Sequence, residues 1–473
     1  MVNKLQSNSS IQMSAQRNAM SQRIFRRSDR FITLMAFLVG LGLMVQVRVG
    51  VRLSLTELST PFIFVALSGG LQQLLSNRVV RNTILFLVLY LAGVVQSDFF
   101  GEVDQMEFLK GIARPIFLLG LLVNFGLILV NGTKYIVPLI GGFFCGAVLH
   151  MVFNTAADEY DFTLASMDYA FYVFRVTPFL TLGSSFIAYL LLKANFRWLA
   201  SLTLISAMCV TVAISSRSSL FSWFIGLALI LSAVYRPRID VQGILFPGRK
   251  IFMTIVAFVV LSTASYYVYR ELAIRDIIGY GNKGKGNLKQ LENNFGWGPL
   301  GLLVSGRPDS IAPIFMIMDA PILGHGSSFY GGEYYLKALE LTGATRRSDQ
   351  ELYQILGSRK VGGHSIIFGQ WASSGILALP FWLYVLFLMT KLAAMLVLAK
   401  DKYVALVGLL IAIMSWELFF SPFSVAMRSY TPLIMVFAGF YIPELQQRFR
   451  PLLFTQPSMP FPMRQAKSAV SIG

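Results

Sequence analysis

Few side chains in this sequence can move a proton or grip an anion, and the candidates lie far apart in the chain. There are three histidines, His150, His325 and His364. His364 follows Gly362 and Gly363 and opens the apolar run "HSIIFGQWASSGILALPFW". An imidazole titrates near neutrality, so His364 suits a general base or a phosphate contact. The plainer alternative is a helix-start histidine hydrogen-bonded to local backbone. On one helix, His364, Phe368, Trp371 and Gly375 share a face. Gly369, Ala372, Ser373 and Gly375 are small enough for close packing against another span.

Two arginines could complement that histidine, because a guanidinium grips phosphate oxygens with paired hydrogen bonds. Arg217 stands in "ISSRSSLF", between two apolar runs; the competing role is an interfacial arginine reaching for headgroups. Arg307 stands in "SGRPDS". Pro308 and Asp309 suit the first turn of a helix through "SIAPIFMIMDA", which would set Arg307 beside the positive end of that helix. The competing role is a solvated loop arginine paired with Asp309. His325 in "ILGHGSS" reads as a turn residue, and His150 as a packed histidine inside an apolar run. No pair of histidines, and no histidine and acid, has a helical metal-ligand spacing. "GNKGKGN" is not a phosphate-binding loop, since the closing Lys-Ser/Thr is missing. Acids inside apolar runs are nearly absent, with Glu417 as the exception.

The elements that must position these residues are membrane spans. The chain of 473 residues is 55% hydrophobic and 13% charged, against about 25% charged in soluble proteins. Apolar runs of about 20 residues recur throughout, the length an α-helix needs to cross a bilayer. The expectation is an all-α polytopic membrane protein of about twelve spans. They fall near 31–48, 59–75, 83–97, 112–130, 135–153, 171–192, 198–214, 220–235, 251–269, 366–390, 403–420 and 429–445. Several are short or carry Gly or Pro, so one or two are expected to be tilted or broken. The net charge of +17 fits basic cytoplasmic loops and tails better than nucleic-acid binding. Cys145 and Cys209 lie inside apolar runs, which argues against a disulfide framework.

Basic loops set the orientation. The tail 1–30, the connections "SNRVVRN", "NGTK", "KANFRW", "YRPRIDVQGILFPGRK" and "AKDKY", and the tail 446–473 are expected on the cytoplasmic side. "SDFFGEVDQMEF" and "NTAADEYDFTLASMDY" are acidic and expected outside. Arg48, Arg52, Lys110, Arg217 and Arg428 fall outside against this trend, so each needs a local reason. Spans one to nine occupy 31–269, and spans ten to twelve 364–445. Between them lies an outer segment of 94 residues, 270–363. Loops of that length are usually functional or disordered, and its apolar content points to an ordered lid with short helices at "DSIAPIFMIMDAPILGHG" and "EYYLKALELTG".

Together these segments resemble the O-antigen ligase and polymerase superfamily, bacterial membrane glycosyltransferases with a C-type fold. "SSRSSLF" resembles the family's S-x-S-R segment. "SGRPDSIAPIFMIMDAPILGHG" resembles its loop motif, an Arg followed by a short amphipathic helix ending in D-x-P-(I/L)-L-G-x-G. "GGHSIIFGQWASSGILALPFWLYVL" resembles the helix after the loop, with Ser365, Ser374 and Ala378 where the family pattern has Asn, an acid and Gly. The resemblance implies an undecaprenyl-diphosphate-linked glycan donor used on the periplasmic face of the inner membrane, with no nucleotide sugar, cofactor or metal. It assigns Arg217 and Arg307 to the diphosphate and His364 to the acceptor hydroxyl or the diphosphate. Arg428 and His325 complete the expected substrate-binding set.

The expected activity is polymerisation of lipid-linked repeat units into O-antigen, capsule or exopolysaccharide. The growing chain would move to the non-reducing end of a new unit. The alternative within the family is a ligase that transfers the finished glycan to a lipid A core. A different class, a lipid-linked glycan flippase or other transporter, shares the span count. A carrier of two six-span halves would place its long loop after span six, not nine. A chain-length regulator and a flippase are the implied protein partners.

Overall fold

The computed structural model describes residues 29–49, 51–101, 103–153, 176–213, 217–235, 308–327, 331–341, 365–421, 423 and 425–454, with isolated positions between 263 and 275. The described chain is helical apart from one antiparallel hairpin, Gln46–Val49 paired with Val51–Ser54. Among the described residues five helices are long and apolar enough to cross a bilayer: Arg78–Phe100, Gln105–Leu129, Thr133–Phe153, Ile376–Ala399 and Tyr403–Phe420. Shorter apolar helices, Thr177–Lys193, Arg197–Ala213 and Arg217–Tyr235, pack among them. The expected ninth span, 251–269, lies almost wholly outside the described residues.

Local sequence starts these helices as capping rules require. The Asn77 side chain accepts hydrogen bonds from the N–H groups of Val79 and Val80, and its amide donates to Gly439 O at 2.9 Å. Asp104 caps Gln105–Leu129 through Met106 N. Glycines then let helices meet backbone to backbone. A Cβ on Gly40 would lie 1.9 Å from Leu139 O, and one on Gly142 would lie 1.9 Å from Phe37 O. The helix 29–42 therefore crosses Ile136–Phe153 at near backbone contact. The core between spans is aromatic around Tyr90, Phe381 and Trp382, with ring centroids 4.9–6.1 Å apart.

Three expected spans are redrawn. The first helix ends at residue 42, before the hairpin, rather than at 48. The second is broken into Thr60–Leu67, a 3₁₀ turn at Ser68–Gly70 and Leu71–Ser76, because two adjacent glycines interrupt the apolar run. The tenth does not begin at 366. A short helix, Ile366–Ser374, ends at Gly375, and the membrane-length helix starts at Ile376. Gly375 has φ +68° and ψ −172°, a conformation essentially reserved for glycine.

The helices bring the connections together at two opposite ends. At one end Asp29 accepts hydrogen bonds from Lys134 and Tyr135, Thr133 donates to Glu444, and Arg448 pairs with Asp401 and Glu444. The hydrogen bonds from Lys134 and Tyr135 hold the Asp29 carboxyl below its ordinary range. Residues 77, 131–135, 401–403 and 444–448 thus share one end, as the basic connections were expected to. The other end gathers residues 54–57, 97–104, 322–327, 373–375 and Arg428.

Candidate functional site

The site grows from the break at Gly375. A Cβ there would lie 2.2 Å from Ile322 O, and one on Gly324 (φ +75°) would lie 2.5 Å from Gly375 N. The turn "PILGHGS" is therefore seated directly on the backbone that ends Ile366–Ser374. His325 N donates to Ala372 O at 2.9 Å, Gly326 N to Ser373 O at 2.9 Å, and Ile376 N to Ile322 O at 3.1 Å. Trp371 Nε1 donates to Pro321 O at 2.8 Å. Each of these bonds satisfies a backbone group that the helix end or turn would otherwise leave open.

A neighbouring span fastens the same turn. Asp98, buried near the end of Arg78–Phe100, accepts from Ser327 N at 2.5 Å and from Ser327 Oγ at 2.8 Å. Ser97 Oγ accepts from Gly326 N at 2.8 Å and donates to Ser373 O. Gly93 allows the approach, since a Cβ there would lie 2.6 Å from Ser374 O. The small residues of the short helix thus serve close packing, but against this span and the docked turn together.

The loop helix Pro308–Asp319 packs on Ile366–Ser374. Ala312, Met316 and Ile317 join Ala372, Phe368 and Trp371 in a second apolar core, closed by Tyr334, Tyr335, Ala338 and Leu339 of the helix Gly332–Leu341. The expected loop helices both form. The Tyr334 hydroxyl donates to Asp319 at 2.7 Å. Burial, and then that bond, push its pKa up. Pro308–Asp319 and Ile366–Ser374 meet at their C-terminal ends, where the turn is bound.

The expected site residues fare differently. His364 and Arg307 lie outside the described residues. The segments that follow each of them directly are the two helices just described. Ser365 caps Ile366–Ser374: its hydroxyl accepts from Phe368 N at 3.2 Å and donates to Leu418 O at 3.2 Å. The helix therefore begins after His364 and ends before Gly375, so the four-residue face expected from His364 to Gly375 reduces to Phe368 and Trp371. Arg217 is the first residue of Arg217–Tyr235, and its side chain lies outside what is described. His325 sits in the expected turn with its side chain 10% exposed, Nε2 3.0 Å from Met316 O and 3.8 Å from Asp319, and its ring against Tyr334. His150 is buried in Ile136–Phe153.

Arg428 is buried and has the local reason its position demanded. Its Nη1 lies 3.4 Å from Glu57 Oε1, and its guanidinium stands 5.2 Å from the centroid of the Phe117 ring. Glu57 Oε2 meanwhile closes a capping box with Ser54, accepting from its N–H at 2.6 Å. Lys110 pairs with Glu107 at 2.8 Å, and Arg48 and Arg52 face each other across the hairpin backbone. Tyr90 donates its buried hydroxyl to the Gln370 side-chain carbonyl, which links the same span to the short helix. Arg114 lies within electrostatic reach of Asp98, Tyr90 and Arg428.

Glu57, Asp98, Arg114, Tyr90 and Gln370 were not singled out from the sequence. Asp98 looked like one more acid of an outer loop, and Glu57 lay in a polar stretch between spans. Glu417 lies within the helix Tyr403–Phe420, as its apolar run implied, while Glu57 and Asp98, just outside the expected runs, are buried as well. Among the described residues no group of three or more His, Cys, Asp or Glu could hold a metal ion. No protein-family model and no curated protein matches the chain.

Proposed function

We propose that the protein is a metal-independent membrane glycosyltransferase that polymerises undecaprenyl-diphosphate-linked oligosaccharide units on the periplasmic face of the bacterial inner membrane. The observation that carries this reading is the docking of Pro308–Asp319 and its turn onto Ile366–Ser374. These two helices directly follow Arg307 and His364, which lie 57 positions apart in the sequence. Arg217 opens a third helix within the same bundle.

In this reading the acceptor hydroxyl attacks the anomeric carbon of the donor. The bond from that carbon to the lipid diphosphate breaks, and the diphosphate departs with the electron pair. Arg217 and Arg307 hold its growing negative charge, a task suited to fixed guanidinium groups. His364 takes the proton of the attacking hydroxyl. The bound turn and its Asp98 anchor keep the loop segment seated while the glycan passes.

Reconstitution in liposomes with a purified lipid-linked repeat unit tests the proposal. A ladder of glycans that forms without an ion gradient is the expected result, lost in His364→Ala, Arg217→Ala and Arg307→Ala. An unchanged ladder in His364→Ala would sink the catalytic assignment. Movement of the lipid-linked unit across the bilayer without new bonds would assign a flippase instead. Transfer only onto a lipid A core would assign the ligase.

A further inference from the structure

The two loop helices expose opposite kinds of surface. Gly332–Leu341 buries Tyr334, Tyr335, Ala338 and Leu339 and turns Glu333, Lys337 and Glu340 outward. That is the pattern of a helix with one face in water. Pro308–Asp319 also buries one face, through Ala312, Met316 and Ile317. Its opposite face is apolar as well, up to the exposed Asp319 at its end. Ile314 is 40% exposed, Met318 75%, and Ile322 in the following turn 65%. Residues 314 and 318 are one helical turn apart and lie on one side of the helix.

This stripe continues into surfaces that belong to membrane-length helices. Ile322 O accepts from Ile376 N, and Ile376 is itself exposed at the start of Ile376–Ala399. Leu383 and Phe387 carry the same outward face along that helix. On the other flank, the turn is bound at the end of Arg78–Phe100. The outward stripe of that helix, Leu85, Val88, Val95 and Phe99, ends there. A contiguous exposed apolar patch marks an interaction site, and this one continues the exposed apolar stripes of two helices long and apolar enough to cross a bilayer.

We infer that the outward face of Pro308–Asp319, with Ile322, is a bilayer-contact face. The helix lies against the acyl-chain boundary of one leaflet, while Gly332–Leu341 stays in water above it. The partner is the hydrocarbon of the bilayer, as expected for a helix that lies in the interface plane. This inference rests on packing and exposure alone and holds whatever the protein's activity is. It gives the loop two attachments, the hydrogen-bonded turn on Asp98 and Ser97 and a hydrophobic hold on the membrane.

Spin-label accessibility in lipid nanodiscs tests it. A nitroxide is placed at Met318→Cys and, separately, at Glu340→Cys, in full-length protein with Cys145→Ala and Cys209→Ala. At position 318 dissolved oxygen should relax the label more strongly than a water-soluble nickel chelate, and at position 340 the order should reverse. Nickel-dominated relaxation at 318 would overturn the inference. So would a label at 318 reached by neither reagent, which would mean that protein, not lipid, covers the face. Ile314→Cys provides a second position on the same stripe and should behave like 318.

Discussion

At one end of the bundle Arg448, whose side chain is 54% exposed, reaches Glu444 and Asp401, while at the other Arg428, 10% exposed, faces Glu57. The contacts look alike on paper, an arginine against a carboxylate, but their energetics differ. Exposed pairs gain little, because water and salt screen the attraction and two long side chains must be held still. A buried pair carries a large desolvation penalty on each ion, so it persists only while both partners are present. The first end includes pairs with an exposed partner, Lys134 with Asp29 and Arg448 with Glu444. The second is built from groups that depend on one another: Glu57 with Arg428, Asp98 with Ser327, and Gly375 with Ile322.

The sharpest way to break this contrast is Glu57→Gln. It keeps the shape and an oxygen for the Ser54 cap but removes the negative charge that faces the buried Arg428 guanidinium. A loss of about 3–5 kcal/mol is expected, read as earlier thermal unfolding in detergent. Restoration by the pair Glu57→Gln with Arg428→Met would confirm that the cost is the lost attraction between Glu57 and Arg428. A wild-type melting curve for the single variant would mean that the pair is solvated after all.

Gly375→Ala comes next. The backbone conformation alone costs a non-glycine residue about 1–3 kcal/mol, and the added Cβ would press on Ile322 O at 2.2 Å. Amide exchange at residues 322–327 should accelerate in this variant, with the contacts of Asp29 and Glu444 at the opposite end unaffected. Equal exchange in both proteins would show that the turn is held by Asp98 and Ser97 without the glycine contact.

The smallest effect is expected at the exposed end. Arg448→Ala should change stability by less than about 1 kcal/mol, and by less still at high salt. A shift as large as that of Glu57→Gln would erase the distinction between the two ends.

Much of the architecture was legible in the chain. Continuous apolar runs required membrane helices, since only a helix satisfies every backbone group without water. The loop helices followed from "SIAPIFMIMDA" and "EYYLKALEL", where apolar residues return at helical spacing, and the described basic connections at 77, 131–134 and 401–403 do share one end. The break at Gly375 was not legible. The sequence "ASSGILALPFW" supports an unbroken span as well as an interrupted one, and only the seating of Ile322 O against the glycine selects the interruption. The outward stripe of Ile314 and Met318 was hidden in the same way, because an apolar residue in a loop helix reads as core until its neighbours are placed.

Residue order alone points to the solvent, a bilayer, and supplies the residue types with which anion and proton chemistry could be done. What the tertiary structure decided is partnership. Asp98 is an ordinary loop acid until Ser327, far along the chain, offers it two donors inside a protein interior. Arg428 is an ordinary outer arginine until Glu57 is buried beside it. Charge and hydropathy are properties of each residue and can be read along the chain, whereas the worth of a buried polar group lies in a partner that only the fold supplies.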